Sequence, residues 1–299
     1  MILLIGSTGK LGSEICRLLT AKKYPVRAMI RKTTPEEKRN ELKSSGLQLV
    51  EGDIRDKSTF KAALQGVDTV ITTISSMPFA YIPGENDISK VDEEGMLNLV
   101  DAAKKAGVKH FIYTSFSGNM NLDFPLEKAK RKVENHLQQS GMNYTILRPG
   151  FFMESWLSAM VGFDAANGKV NLYGTGASPV AYISLKDVAK FAVECASNPN
   201  AMNSILELGG PGNVSQIEAA EIFGEVFGEK IEMQFVPQDV LMAQYNGAVD
   251  EMQKSFSGLM ICLSNGDFND MKNVLKLFPI KLTSVYEYAK FLAQPAFVC

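Results

Sequence analysis

Met1-Ile2-Leu3-Leu4-Ile5-Gly6-Ser7-Thr8-Gly9-Lys10-Leu11-Gly12 opens the chain. The apolar run that ends at Gly6 reads as a buried strand. The spacing of Leu11, Ile15, Leu18 and Leu19 predicts a helix over residues 10–22. The glycines therefore lie in a strand–turn–helix, the context in which such a loop binds a dinucleotide pyrophosphate. Gly6 permits the sharp turn, Gly9 lets a phosphate approach the backbone, and Gly12 lets the helix pack closely on the sheet. Ser7, Thr8, Lys10 and Leu11 complete a loop whose free N–H groups face an anion at the positive end of the helix dipole. The spacing is Gly-x-x-Gly-x-x-Gly; a glycine-rich turn without a ligand is the alternative.

Outward from this loop, strand and helix alternate. Further strands are expected at 26–30, 47–51, 67–73, 109–114 and 143–147, and helices at 35–44, 57–64, 88–106 and 126–140. Short apolar strands separated by helices predict an α/β fold: a Rossmann-type, doubly wound parallel sheet covered on both faces. After Arg148-Pro149-Gly150 the pattern changes. Strands are expected at 170–173, 180–183, 205–208 and 231–236, and helices at 185–197, 215–227 and 284–293. Ser184 with Asp187, and Ser215 with Glu218, have capping-box spacing. Residues 1–150 are thus expected to form the dinucleotide-binding core. Residues 151–299 would complete the sheet and add a smaller, closely packed α+β substrate lobe. Residues 237–280 show no clear pattern.

Composition narrows the partners. The chain has 299 residues with a formal charge of −2, so no basic excess points to nucleic acid. Cys16, Cys195, Cys262 and Cys299 lie far apart with no His at ligand spacing. That argues against a metal site and for a reducing, cytoplasmic setting. Cys16 reads as a buried thiol, and Cys299 lacks a prenylation tail. No stretch has the length of a membrane span, and the N-terminus has no basic region of a signal peptide.

The second strand ends in Arg31-Lys32, where NAD-binding proteins usually place an acid for the adenosine 2′-hydroxyl. Two cations suit a 2′-phosphate, which predicts NADP(H) in preference to NAD(H); two solvated charges are the alternative. After the third strand, Asp53 can accept from the adenine amino group while Ile54 packs on the ring. Asp56 would cap the next helix.

The glycine loop, Val26-Arg27-Ala28-Met29-Ile30-Arg31, Gly52-Asp53-Ile54-Arg55-Asp56, Gly107-Val108-Lys109-His110-Phe111-Ile112-Tyr113-Thr114-Ser115 and Tyr144-Thr145-Ile146-Leu147-Arg148-Pro149-Gly150-Phe151-Phe152-Met153-Glu154 occur in order. As a set they resemble the NmrA-like, atypical short-chain dehydrogenase/reductase group, closely over residues 1–236 and loosely beyond. That resemblance implies NADPH-dependent reduction of quinones, triphenylmethane dyes or isoflavone-type compounds, or a regulator that binds the dinucleotide without turnover. It also implies that Thr73, Ile74 and Ser75 line the cofactor's ribose and diphosphate, that Thr114 and Ser115 lie near the nicotinamide, and that Pro149, Phe151 and Phe152 flank nicotinamide and substrate.

Typical short-chain dehydrogenases carry Tyr-x-x-x-Lys on one helix face. Here Lys130 holds the Lys place and Leu126 the Tyr place, so the phenolic acid is absent. Lys130 either holds the nicotinamide ribose or belongs to a solvated basic face with Lys128, Arg131 and Lys132. Tyr113 should point away from Thr114 by strand alternation. Tyr81 lies near the mouth, and His110 and His136 read as structural or solvated. No Gly-x-Ser-x-Gly elbow suggests a hydrolase. Met77, Pro78, Phe79, Phe152, Met153 and Trp156 can make an aromatic-lined pocket for a planar acceptor, or can be ordinary core. The reading is an NADPH-dependent reductase of a hydrophobic, conjugated or quinone-like small molecule. The alternative is a cofactor-sensing regulator with a protein partner.

Overall fold

The computed structural model describes residues 1–294; Cys299 lies outside them. In chain order the first half holds β1 (Ile2–Ile5), α1 (Lys10–Ala21), β2 (Val26–Ile30), α2 (Glu36–Ser44), β3 (Gln48–Glu51), α3 (Phe60–Ala63), β4 (Thr69–Thr72), α4 (Met96–Lys105), β5 (His110–Thr114), α5 (Pro125–Gln139) and β6 (Asn143–Pro149). The second half holds α6 (Met153–Trp156), β7 (Phe163–Asp164), β8 (Lys169–Tyr173), β9 (Pro179–Val180), α7 (Leu185–Cys195), β10 (Ser204–Leu208), β11 (Val214–Ser215), α8 (Gln216–Phe227), β12 (Glu232–Val236), α9 (Gln238–Gly247), α10 (Glu251–Asn265), α11 (Lys272–Leu277) and α12 (Val285–Ala293).

Seven parallel strands form one sheet in the order β10-β6-β5-β4-β1-β2-β3. Strand order reverses between β1 and β4, so the loops after these two strands open the crevice where ligands of such sheets bind. Alternation along the strands loads both faces with apolar side chains. Leu3, Ile5, Val70, Phe111 and Tyr113 pack with residues of α3, α4 and α5, while Ile2, Leu4, Ile71 and Ile112 pack with residues of α1 and α7. Burial on both faces is why these strands read as unbroken apolar runs.

A smaller lobe follows. β12, β8 and β7 form one small sheet and β11 pairs with β9. α8, α10 and α12 supply Phe223, Ile261 and Tyr288 to a third core that also takes in Phe124 and Phe151.

Several local expectations change. The helix expected over 88–106 begins as a π-helical segment, Ser89–Gly95, before α4. The strand expected at 180–183 is confined to Pro179–Val180, because Ala181 N–H donates to Asp267 O instead. Ser215 and Glu218 form their capping box, but Ser184 and Asp187 do not. The Asp187 carboxylate instead accepts from Thr283 N–H at 2.6 Å and pairs with Lys190 at 2.7 Å. The unread stretch 237–280 contains α9, α10 and α11.

Candidate active site

The glycine loop is a backbone device. Gly6 has φ +92°, and a Cβ there would meet Thr73 Oγ1 at 2.6 Å. A Cβ on Gly12 would lie 2.1 Å from Gly6 O. α1 starts without a side-chain cap, which leaves its first N–H groups free for an anion. This cradle and these free donors fit a dinucleotide pyrophosphate. Ser7 contributes backbone only: its side chain is fully buried and its hydroxyl donates to Met29 O at 3.4 Å.

A cavity of about 180 Å³ runs along the loop, lined by Gly6, Thr8, Gly9, Arg31, Asp53, Ile54, Thr73, Ile74 and Ser75 among others. Lys32 is exposed and lies outside this lining. Arg39, which sequence reasoning passed over, braces the turn. Its guanidinium donates to Arg31 O at 3.2 Å and Lys32 O at 2.8 Å. Asp53 is gripped by Arg55 through Nε at 2.9 Å and Nη2 at 2.6 Å. That hydrogen bonding holds the Asp53 carboxyl below its usual range, so it stays an acceptor.

Thr73, Ile74 and Ser75 also line a second cavity of about 300 Å³. Lys10, Leu11, Thr114, Ser115, Lys130, Pro149, Phe151 and Phe152 join them there, with Met77, Pro78, Phe79 and Trp156. Thr114 Oγ1 is buried and has no hydrogen-bond partner, which leaves a polar group for a ligand. Leu126 lines the cavity at the Tyr place. Among the described residues the lining includes no carboxylate. The expected pocket residues Tyr81 and Met153 do not line it. Met153 is fully buried in the C-terminal core because the short α6 turns it inward, and Tyr81 packs against the edge of that same core.

The far wall comes from a helix that the sequence did not reveal. Phe256 of α10 lies parallel to Trp156, centroids 6.1 Å apart at 17°, and Trp156 meets Phe151 edge-on at 5.0 Å. Leu259 lies beside them in the lining. Small residues let α10 approach α5 closely. A Cβ on Gly258 would meet Phe124 Cδ1 at 2.5 Å, and Ser255 Oγ accepts from Leu126 N–H at 3.1 Å. A more open depression of about 590 Å³ near Phe223 and Tyr288 touches neither the glycine loop nor Lys130.

Lys130 is not on a solvated face: its side chain is 5% exposed. Nζ lies 3.4 Å from Asp92 Oδ1, 3.5 Å from Ile74 O and 5.2 Å from the centroid of the Tyr113 ring. Tyr113 is buried in the core beneath the cavity, and burial pushes its hydroxyl well above the usual phenol range. One turn beyond Lys130, Glu134 is held by Arg131 and Arg148. Burial, the largest single influence, pushes its carboxyl up, but the hydrogen bond from Arg148 and the charges of Arg131 and Arg148 act together against it and the net shift is downward. His110 is buried and bonds Thr145 Oγ1, while His136 pairs with Asp101. Asp92 had a sequence signal: it shares a stripe with Ile88, Val91, Gly95, Met96 and Leu99, where an acid is out of place.

Among curated proteins, the NAD(P)H azoreductase of Xenophilus azovorans is 34% identical over 235 residues, covering 77% of this chain and 75% of the relative. The photosystem II assembly factor Ycf39 of Trieres chinensis is 30% identical over 238 residues, covering 79% and 72%. Among solved structures, the NADPH-dependent quinone oxidoreductase of Escherichia coli, complexed with NADPH, superposes with TM-score 0.80 at 24% identity over 98% of this chain and 100% of that one. The last likeness bears on the fold. The NmrA-like family model matches residues 1–289, and the chain belongs to the NmrA-like family.

Proposed function

We propose that this protein is an NADPH-dependent reductase that delivers hydride to a hydrophobic, conjugated or quinone-like acceptor. The observation that carries the reading is the continuity of the two cavities. Thr73, Ile74 and Ser75 border both the glycine-loop crevice and an apolar chamber with Lys130 in its wall. A bound nicotinamide would supply a hydride, and the reduced quinone-like acceptor would take its balancing proton from water on leaving the chamber. The chain's own residues orient and exclude. Thr114 offers its unpaired hydroxyl to the cofactor, Lys130 donates to the ribose, and Phe151, Trp156 and Phe256 hold a planar acceptor against the reacting face away from water. With Leu126 in place of a phenol, an acceptor that needs no strong acid fits best. The likeness to an azoreductase supports this reading.

Arg31 lines the first cavity and supports a 2′-phosphate partner. Arg31→Ala should weaken NADPH binding by about 10- to 100-fold, the range of a charge-assisted contact, and leave NADH binding nearly unchanged. Titration with both cofactors tests this, and equal losses would remove the NADP preference. NADPH oxidation across quinones, azo dyes and enones tests the reaction. Tight cofactor binding with no turnover on any acceptor would replace the reductase with a cofactor-sensing protein that answers to a protein partner, the reading favoured by the likeness to an assembly factor.

A further inference from the structure

A carboxylate on the apolar stripe of a helix needs a reason, because burying an unpaired charge is strongly unfavourable. Asp92 is fully buried. The wide turn of the π segment brings two consecutive residues, Val91 and Asp92, inward together. Asp92 Oδ2 accepts from Ser76 N–H at 2.9 Å and from Ser76 Oγ at 2.7 Å. Oδ1 makes no hydrogen bond, and its ion-pair partner is Lys130 Nζ at 3.4 Å.

An ammonium has three N–H donors. The Ile74 carbonyl draws on one of them at 3.5 Å and Asp92 faces the ammonium as its ion-pair partner without a hydrogen bond, so donors remain for the cavity that Lys130 lines. Ser76 is followed by Met77, Pro78 and Phe79, which line the same cavity. One carboxylate therefore grips both the lysine and the root of the cavity-wall loop. Asp92 itself is not among the lining residues.

We propose that Asp92 is a positioning residue: it holds the Lys130 ammonium in place and orients its remaining donors into the chamber. The kinetic consequence rests on the reductase reading, whereas the pairing of Asp92 with Lys130 can be tested without it. Asp92→Asn keeps an acceptor for Ser76 but removes the countercharge. In the free protein, acylation of the Lys130 amine, followed by mass spectrometry, should accelerate several-fold in Asp92→Asn because the lysine is released. In turnover, Asp92→Asn should lower kcat by about tenfold or more, within the cost of a misplaced orienting group, with little change in acceptor KM. In a Lys130→Met background the same change should cost almost nothing further.

The double variant carries neither buried charge and should recover much of the thermal midpoint that Asp92→Asn loses. An unchanged acylation rate, multiplicative kinetic effects, or a double variant as unstable as Asp92→Asn would each overturn the proposal. A wild-type protein inactive on every acceptor would overturn the reductase reading instead, and the acylation arm would still decide the role of Asp92.

Discussion

The two ends of the crevice are built by opposite means. At the glycine-loop end the backbone forms the surface: Gly6 and Gly12 leave space that a Cβ would fill, and a helix presents free N–H groups. At the other end side chains form the surface. Phe79, Phe256 and the pair Phe151 and Trp156 come from three separate segments and meet only in the folded chain. The first end depends on a short stretch of sequence and tolerates no added atoms. The second depends on packing between lobes and is made of groups that can be exchanged singly.

The largest effect should come from Gly12→Ala. Its Cβ would lie 2.1 Å from a backbone oxygen that cannot yield without opening the turn between β1 and α1. Overpacking of this severity costs about 3 kcal/mol or more, so NADPH affinity should collapse and the thermal midpoint should drop. Retained affinity would break the contrast between the two ends.

The next effect lies in the sheet beneath the crevice, at the start of β5. Burial lowers the pKa of His110 from 6.5 to about 4, so the folded protein takes up its proton less readily than the unfolded chain does. Stability is therefore full above pH 6.5 and falls as pH drops toward about 4, by up to about 3 kcal/mol. Denaturant titrations across that window should show the slope, and His110→Gln should flatten it. An equal slope in the variant would assign the acid sensitivity elsewhere.

The smallest effect should come from the packed end. Phe256→Ala removes the partner of Trp156 and should raise acceptor KM about three- to tenfold, the worth of an aromatic pair, with NADPH affinity unchanged. An unchanged KM would take α10 out of the acceptor wall.

Legibility in the sequence follows the same divide. The strands and the glycine loop are local, and their apolar runs and turn residues are visible in a short window. α10 is not, because it meets α5 through Ser255 and Gly258, small residues suited to close approach and not to hydrophobic patterning. Phe256 and Leu259 therefore stayed hidden, although the chamber around them was expected from Phe79, Phe152 and Trp156. Met153 was misplaced for a related reason: whether a residue next to a pocket faces it depends on one turn of helix that periodicity does not resolve. Lys130 stood out only through the family resemblance, which puts it at the Lys place with Leu126 at the Tyr place. Asp92 needed the thought that a charge on an apolar stripe must have a partner.

The contact between α10 and α5 has a consequence for size selection. Ser255 bonds the backbone of Leu126 in the first turn of α5, and Lys130 follows one turn later on that same rod. The far wall and the ammonium are thus gauged against each other by two struts bolted at a fixed spacing. If the cavity takes an acceptor as proposed, the room between Phe256 and Lys130 is set by side-chain reach, so trimming a single ring on α10 should change which molecules fit without moving Lys130.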